Sequence, residues 1–205
     1  MPEGINDSFL AEDLDLTVFK ERWNREGREA CDNQNAIVEA QGLKSGDRIA
    51  DVGAGTGLFL TAFSEAVGAQ GLLYAADISP RFVEYLEQRK QAEGLANVRP
   101  HVSGEATLGL PADSVDVIFV CDAYHHFEQH QTMLASFHSA LSQGGFLNLL
   151  DFERIPGVSS DWVMGHVRAG KDQVRAEVEA AGFVFVEQVH LPELQENYYL
   201  RFTKA

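Results

Sequence analysis

The sequence predicts an α/β fold in which a mostly parallel sheet is covered by helices on both faces. The first observation is a short apolar run, residues 49–52, that leads directly into glycines at positions 53, 55 and 57. A buried parallel strand, a tight turn and the start of a helix produce this pattern. The second observation is that later apolar runs alternate with helical patterns, as in doubly wound folds. With 205 residues, the chain fits one domain of ordinary size.

Composition and charge narrow the classes of function. Lys and Arg together number 16 against 31 Asp and Glu, which gives a formal net charge of −15. This excess of negative charge repels phosphate backbones, so we expect no nucleic-acid substrate. The chain has no apolar run of about 18 residues, and residues 1–16 are acidic. We therefore expect neither a membrane span nor a signal peptide. We therefore expect a cytoplasmic protein with a small-molecule substrate and no membrane partner, and a homodimer as the assembly to test.

The order of elements follows from periodicity and turn residues. Seven strands are predicted, at residues 49–52, 72–76, 98–102, 117–121, 146–151, 183–190 and 197–203. Helices are predicted at residues 58–67, 80–93, 128–141 and 171–181. Two further helical pieces are expected between residues 17 and 41. Asp32 is the predicted N-cap of the second piece, and Ser79 that of the helix that begins at Pro80.

The glycine turn is the predicted ligand-binding feature. Glycine takes positive φ and has no Cβ, so the backbone approaches a ligand closely while the next helix presents unpaired N–H groups. The dinucleotide pattern G-x-G-x-x-G would need glycine at position 58, where this chain has Leu58. The chain instead has D-x-G-x-G-x-G from Asp51 to Gly57, and Asp77 ends the second strand. In Rossmann-like folds an acid at that place binds ribose hydroxyls.

This motif closely resembles motif I of the class I S-adenosylmethionine (SAM) dependent methyltransferases, and the resemblance covers about residues 30–205. It implies SAM as cofactor and a seven-stranded sheet whose last two strands form an antiparallel hairpin. It also implies methyl transfer to a small-molecule oxygen, nitrogen or sulfur nucleophile. We expect residues 1–31 to form an N-terminal arm and lid helix and residues 32–205 the SAM-binding methyltransferase domain. The cofactor-binding residues implied are Asp51, Gly53, Ala54, Gly55, Gly57, Asp77, Ile78, Glu105, Ala106 and Asp122.

The end of the fourth strand carries the predicted chemistry, in the sequence Asp122-Ala-Tyr-His-His. An acceptor hydroxyl or ammonium group must lose a proton, and a histidine with a near-neutral pKa suits that role. Asp122, His125 and His126 are therefore the catalytic candidates. Because the two histidines are neighbours at a strand end, we expect only one to face the cavity. The segment resembles the strand-4 motif of ubiquinone- and menaquinone-type methyltransferases.

A metal-assisted O-methyltransferase mechanism is the alternative that the same segment leaves open. Asp122-x-x-His125-His126 resembles the E-x-x-E-H metal motif of small-RNA 2′-O-methyltransferases and ubiquinone-pathway O-methyltransferases, with two acids replaced by Asp and His. His166 completes the candidate set. Imidazole is a poor magnesium ligand, so this set favours zinc or manganese. A histidine base without a metal is the first expectation.

Substrate contacts are expected from several segments above the crevice formed by the strand ends. An arginine there either holds a substrate carboxylate or phosphate, or pairs with one of the many acids of the chain. The substrate-contacting candidates are Trp23, Tyr124, Asp151, Arg154, His166, Arg168 and Tyr198. Two other functions stay open, a non-catalytic SAM-binding regulator and an NAD(P)-dependent oxidoreductase. Leu58, at the third glycine position of the dinucleotide pattern, argues against the oxidoreductase.

Overall fold

Seven strands form a single mixed sheet. The computed structural model describes residues 4–204, so residues 1–3 of the predicted arm and residue 205 of the predicted domain lie outside the described part. The strands are β1 (Arg48–Val52), β2 (Leu72–Asp77), β3 (Val98–Val102), β4 (Val115–Cys121), β5 (Leu141–Phe152), β6 (Phe183–Gln188) and β7 (Asn197–Lys204). They lie in the order β3-β2-β1-β4-β5-β7-β6. Only β7 runs antiparallel to its neighbours β5 and β6 within this sheet, which confirms the predicted sheet and its C-terminal hairpin.

Helices connect the strands and cover both faces of the sheet. They are α1 (Asp7–Leu10), α2 (Leu16–Trp23), α3 (Glu29–Asp32), α4 (Gln34–Ala40), α5 (Leu60–Val67), α6 (Pro80–Glu93), α7 (His130–Ala140), α8 (Asp161–His166) and α9 (Lys171–Ala180). Tyr124–His126 form a short 3-10 helix after β4. Across residues 4–204, the helices are too short or too polar for a membrane crossing.

One of the two predicted helix caps is wrong. The helical segment before β1 breaks between α3 and α4, so Asp32 ends α3 and Asn33 takes the N-cap position of α4. The Asp32 carboxylate accepts a hydrogen bond from the backbone N–H of Gly27 at 2.9 Å instead. Ser79 takes the N-cap position of α6 with Pro80 after it, as predicted, although its side chain makes no cap hydrogen bond.

The central strands are buried on both faces. Their ends are therefore held rigidly in place. Ile118 and Phe119 of β4 are adjacent, point to opposite faces and are both fully buried. Ile118 packs in the apolar layer that contains Phe137 of α7, and Phe119 packs in the layer that contains Phe63 of α5. Continuous burial of this kind is typical of parallel strands with helices on both sides.

The sheet has its topological switch point between β1 and β4. From β1 the chain proceeds outward through β2 and β3, then returns to place β4 on the other side of β1. Val52 at the end of β1 pairs with Val120 near the end of β4. The glycine turn after β1 and the Asp122 segment after β4 therefore start side by side at the carboxyl edge of the sheet, where ligands of open α/β sheets bind.

Candidate active site

A cavity of about 570 Å³ lies at this carboxyl edge. Its volume falls in the range of small-molecule sites. Strand ends form its floor, and residues from α1, α2, α8 and the segment after α2 form its walls and roof. Twelve of the predicted site residues line it: Trp23, Asp51, Gly53, Ala54, Gly55, Asp77, Ile78, Glu105, Asp122, His125, His126 and His166.

The turn after β1 needs glycine because other groups approach it closely. Gly53 and Gly55 have φ values of +77° and +53°. A Cβ on Gly53 would lie 2.5 Å from the Cβ of Ala123, and one on Gly55 would lie 2.8 Å from the Trp23 ring. The backbone N–H of Gly55 donates to the Asp77 carboxylate at 2.8 Å. The turn is thereby fixed against the end of β2 and presents bare backbone to the cavity.

Two buried carboxylates form part of the floor. Asp51 is 3% exposed and Asp77 is 6% exposed. Burial, with a contribution from the charge of Asp77, raises the pKa of Asp51 to about 7. Burial also raises the pKa of Asp77 to about 6, although backbone N–H groups that include that of Gly55 lower it. The Asp51 carboxylate accepts no hydrogen bond from residues 4–204, so it is suited to bind a cationic group of a ligand.

Three histidines form a cluster in another part of the cavity. His125, His126 and His166 each present a ring nitrogen, and these nitrogens all lie within 4.8 Å of one another. The His125 Nδ1 donates to the Asp151 carboxylate at 2.7 Å, because an ionised carboxylate only accepts. In the neutral ring this bond leaves the lone pair on Nε2 of His125. Asp151 itself lies behind His125 and does not line the cavity.

Only one of the paired histidines was expected to face the cavity, and this expectation is wrong. Both line the cavity because they lie in a 3-10 helix rather than an extended strand, and their ring centroids are 4.3 Å apart. Burial, together with repulsion from the other two histidines, lowers the pKa of His126 to about 3. Burial and the charge of His125 also lower the pKa of His166. At His125 burial lowers the pKa, but the charge and hydrogen bond of Asp151 more than offset this and the net pKa is raised.

Two carboxylates connect the segment after α2 (residues 25–29) to the ends of the strands. The Arg28 guanidinium pairs with Asp122 at 2.7 Å, and the pair is largely buried. Burial lowers the pKa of Arg28, but the nearby Asp122 more than offsets this, so the pKa is raised and the guanidinium keeps its charge. Asn197 donates to the other oxygen of Asp122 at 2.6 Å. Glu29 accepts from the backbone N–H groups of residues 195–197 at 2.8–3.2 Å.

Aromatic side chains enclose both parts of the cavity. Four rings from α1, α2 and α6 pack together, with centroids 4.9–6.4 Å apart. These rings are Phe9, Phe19, Trp23 and Phe82. Near the histidine cluster, Trp162 stacks on His166 at 4.7 Å and contacts Phe152 at 5.4 Å. An apolar wall of aromatic rings therefore lies beside the histidines.

Seven predicted site residues do not line the cavity: Gly57, Ala106, Tyr124, Asp151, Arg154, Arg168 and Tyr198. Arg168 binds the Glu177 carboxylate through both Nη atoms at 2.7 and 2.6 Å. The Tyr124 hydroxyl donates to the same carboxylate at 2.9 Å, and Arg154 donates to a main-chain carbonyl. Both tyrosines are buried in the core at 1% exposure. Of the expected substrate contacts in this group, only Asp151 has a place in the site, as the partner of His125.

Several residues that line the cavity or hold its roof in place were not predicted from the sequence. Phe9 and Phe82 line the roof, and Glu29 fixes it to the loop before β7. Glu29 lies more than 160 positions from its partners in the sequence. A contact over that separation leaves no local pattern. Phe82, by contrast, is a large apolar residue in the first turn of α6, and it is buried.

Comparisons with known proteins agree with this geometry. Residues 49–145 match the family described as "Methyltransferase domain". Demethylmenaquinone methyltransferase of Geobacillus kaustophilus (strain HTA426) is 28% identical over 115 residues, which are 56% of this chain and 49% of that protein. A crystal structure of a SAM-dependent methyltransferase from Aquifex aeolicus matches with a TM-score of 0.81 at 23% identity, over 93% of this chain and 99% of that chain. Residues 49–145 therefore belong to this methyltransferase family, and the chain has the fold of the class I SAM-dependent methyltransferases.

A second relative extends the comparison. Aklanonic acid methyltransferase of Streptomyces sp. (strain C5) is 31% identical to this chain over 109 residues, which are 53% of this chain and 50% of that protein. The chain thus spans about half the length of these two curated relatives. The likeness to the Aquifex structure is one of fold.

The cavity fits SAM, the cofactor of this methyltransferase family. The bare glycine turn at Gly53 and Gly55 leaves space that a Cβ would fill. Asp77 ends β2, where an acid of a Rossmann-like fold binds ribose hydroxyls, and Ile78 beside it lines the same cavity, where it would contact the adenine ring. Asp51 is a buried carboxylate that lines the cavity, and it would pair with the ammonium group of the methionine part. These residues would hold the cofactor on the side of the cavity formed by β1 and β2.

Proposed function

We propose that this protein transfers the methyl group of SAM to a small-molecule acceptor that lies at the histidine cluster. The observation that carries the proposal is that the glycine turn, the buried acids and the three histidines line one cavity. When bound, SAM supplies an electrophilic methyl group on a sulfonium. The residues of the chain align the acceptor with it and exclude water, which is the main work in an in-line displacement.

The walls of the cavity favour a flat, ring-bearing acceptor. Phe152 and Trp162 stand beside the cluster, and Trp162 is stacked on His166. Arg22 also lines the cavity and offers a positive charge to an anionic acceptor. The names of the two relatives, a demethylmenaquinone and an aklanonic acid methyltransferase, support a small-molecule acceptor.

The cluster is the proposed device for activating the acceptor. Imidazole nitrogens do this either as a general base or as ligands of a metal ion. As a base, His125 is the best-placed residue, because Asp151 fixes its Nδ1 and leaves Nε2 toward the cavity. Asp122 is not part of this proposal, since Arg28 and Asn197 occupy its two oxygens.

Calorimetric titration with S-adenosylhomocysteine, beside NAD, tests the cofactor. We expect S-adenosylhomocysteine alone to bind, and Asp77→Ala to weaken it at least about tenfold, which is about 1.4 kcal/mol. NAD binding without S-adenosylhomocysteine binding would instead favour the oxidoreductase. Labelled SAM with a panel of phenols, quinols and aromatic acids then tests turnover. Binding without a methylated product across the panel would favour a non-catalytic SAM-binding regulator.

Several sequence-based expectations stay predictions. They concern the cytoplasmic location, the absence of a nucleic-acid or membrane partner, the homodimer, and the limits of the arm (residues 1–31) and the methyltransferase domain (residues 32–205). Size-exclusion chromatography with light scattering tests the homodimer directly.

A further inference from the structure

We infer that His125, His126 and His166 form a binding site for a divalent transition-metal ion of the zinc type. The inference deepens the proposed function, because the site faces the same cavity, but metal binding is measured without any turnover. It differs from the ligand set that the sequence offered, since Asp122 takes no part in it.

The three ring nitrogens lie close enough to share one ion after small rotations of the side chains. They are within 4.8 Å of one another, while two nitrogens on a tetrahedral zinc ion lie about 3.3 Å apart. The ring centroids are separated by 4.3 Å for His125 and His126 and by 5.3 and 5.1 Å from each to His166. His126 also has a buried Nδ1 atom for which residues 4–204 provide no hydrogen-bond partner.

Outer contacts fix two of the three rings, and the contact of His125 is of the kind found in metal sites. A metal-bound histidine usually donates its second nitrogen to a carboxylate, which fixes the ring and makes the ligand more basic. Asp151 does this for His125 at 2.7 Å, and the backbone N–H groups of His125 and Phe152 hold the Asp151 carboxylate at 3.1 and 2.8 Å. Trp162 stacks on His166 with an angle of 23° between the rings.

The donor set selects the class of ion. Three imidazoles suit zinc, cobalt or copper, whereas magnesium and calcium need oxygen ligands. Asp122 is not among the residues whose ligand atoms converge here, and its two oxygens accept from Arg28 and Asn197. Buried Asp151 contributes negative charge behind the cluster, which opposes the positive charge of Arg22 near it. An ion with three protein ligands keeps a position open toward the cavity, where it acts as a Lewis acid on an acceptor oxygen.

Cobalt(II) titration of chelator-treated protein without an affinity tag tests the inference. We expect one equivalent of Co²⁺ to bind with the visible absorption bands of a four- or five-coordinate ion, and Zn²⁺ to displace it. His166→Ala should weaken binding at least about tenfold, because one of three ligands is lost. His190→Ala is the matched control, since His190 is exposed and lies outside the cavity, and it should bind Co²⁺ as the wild type does.

S-adenosylhomocysteine titration of the same samples separates this inference from the proposed function. S-adenosylhomocysteine binding without stoichiometric Co²⁺ binding overturns the metal site and leaves the histidine base. Equal Co²⁺ binding by wild type and His166→Ala overturns it as well, because the ion then lies elsewhere. Stoichiometric, His166-dependent Co²⁺ binding without S-adenosylhomocysteine binding supports the metal site and contradicts the proposed function.

Discussion

Asp151 binds His125 through both of its carboxylate oxygens. One oxygen accepts from the ring Nδ1 at 2.7 Å, and the other accepts from the backbone N–H of the same residue at 3.1 Å. The two side chains are 1% and 3% exposed, respectively. His125 follows β4 and Asp151 belongs to β5, so the contact joins the carboxyl ends of two neighbouring strands. The orientation of the ring is therefore set by the most rigid part of the fold.

Asp151→Asn is expected to lower kcat at least about tenfold, because the amide no longer fixes the protonated Nδ1 of His125 or raises the basicity of the ring. The dissociation constant of S-adenosylhomocysteine should stay within about twofold, since Asp151 does not line the cavity. Initial rates with an acceptor found in the panel and calorimetry measure the two effects. Asp172→Asn, an exposed site on α9, is the control. An unchanged kcat in Asp151→Asn would show that the contact serves only the fold.

Asp51→Asn is expected to stabilise the free protein at neutral pH while weakening cofactor binding. Burial raises the pKa of Asp51 to about 7 in the folded protein, whereas its ordinary value is 3.8. The folded state therefore holds a proton that the unfolded state releases, and stability falls as the pH rises from about 4 to about 7. Asparagine keeps the shape without the ionisation cost, so at pH 7.5 the melting temperature should rise by about 2 °C or more.

Melting curves of wild type and Asp51→Asn between pH 4.5 and 8 measure this effect. The two curves should converge at the acid end, where the Asp51 carboxyl is protonated in the native protein. Calorimetry with S-adenosylhomocysteine should show weaker binding by the variant at pH 7.5, since its ammonium group loses a charged partner. A variant that melts below the wild type at every pH would refute the account of Asp51 as a destabilising, ligand-binding acid.

Arg28→Ala is expected to destabilise the protein by about 2 kcal/mol, because it leaves the buried Asp122 carboxylate without its ionic partner. Asp122→Asn in the same chain should recover part of the loss, since no charge is then left unpaired. Arg25→Ala is the matched control: Arg25 lines the cavity on the same segment, and residues 4–204 give it no ion pair. Urea unfolding measures all four proteins. Equal stability of Arg28→Ala and Arg25→Ala would mean that the ion pair contributes nothing.

The sheet could be predicted from the sequence, and so could the cofactor half of the cavity, which is the side formed by β1 and β2. The strand before Asp51, the glycines after it and the acid at position 77 lie within 30 residues, and each has a local physical reason. The structure places Asp51, Gly55 and Asp77 together in the floor of the cavity. Local rules succeeded because parallel strands that are buried on both faces leave continuous apolar runs.

The acceptor half was harder to predict, because its contacts join distant segments. Arg168 has the features of a substrate-binding arginine in the sequence, but Glu177, two turns along α9, takes both of its Nη atoms. Arg28 lies on a polar segment with other arginines, yet it is the one that reaches Asp122, 94 positions away. Nothing local distinguishes these arginines, since the difference depends on which acid the fold brings near.

Tryptophan fluorescence should report both halves of the cavity, because the chain has two tryptophans and both line it. Trp162→Phe leaves Trp23, whose ring lies against the glycine turn, and we expect S-adenosylhomocysteine to change its emission with the dissociation constant found by calorimetry. Trp23→Phe leaves Trp162, which is stacked on His166, and we expect its emission to respond to Co²⁺ more than to S-adenosylhomocysteine. If Trp162 instead reports S-adenosylhomocysteine and Trp23 does not, the cofactor lies on the histidine side, and the two halves have been assigned the wrong way round.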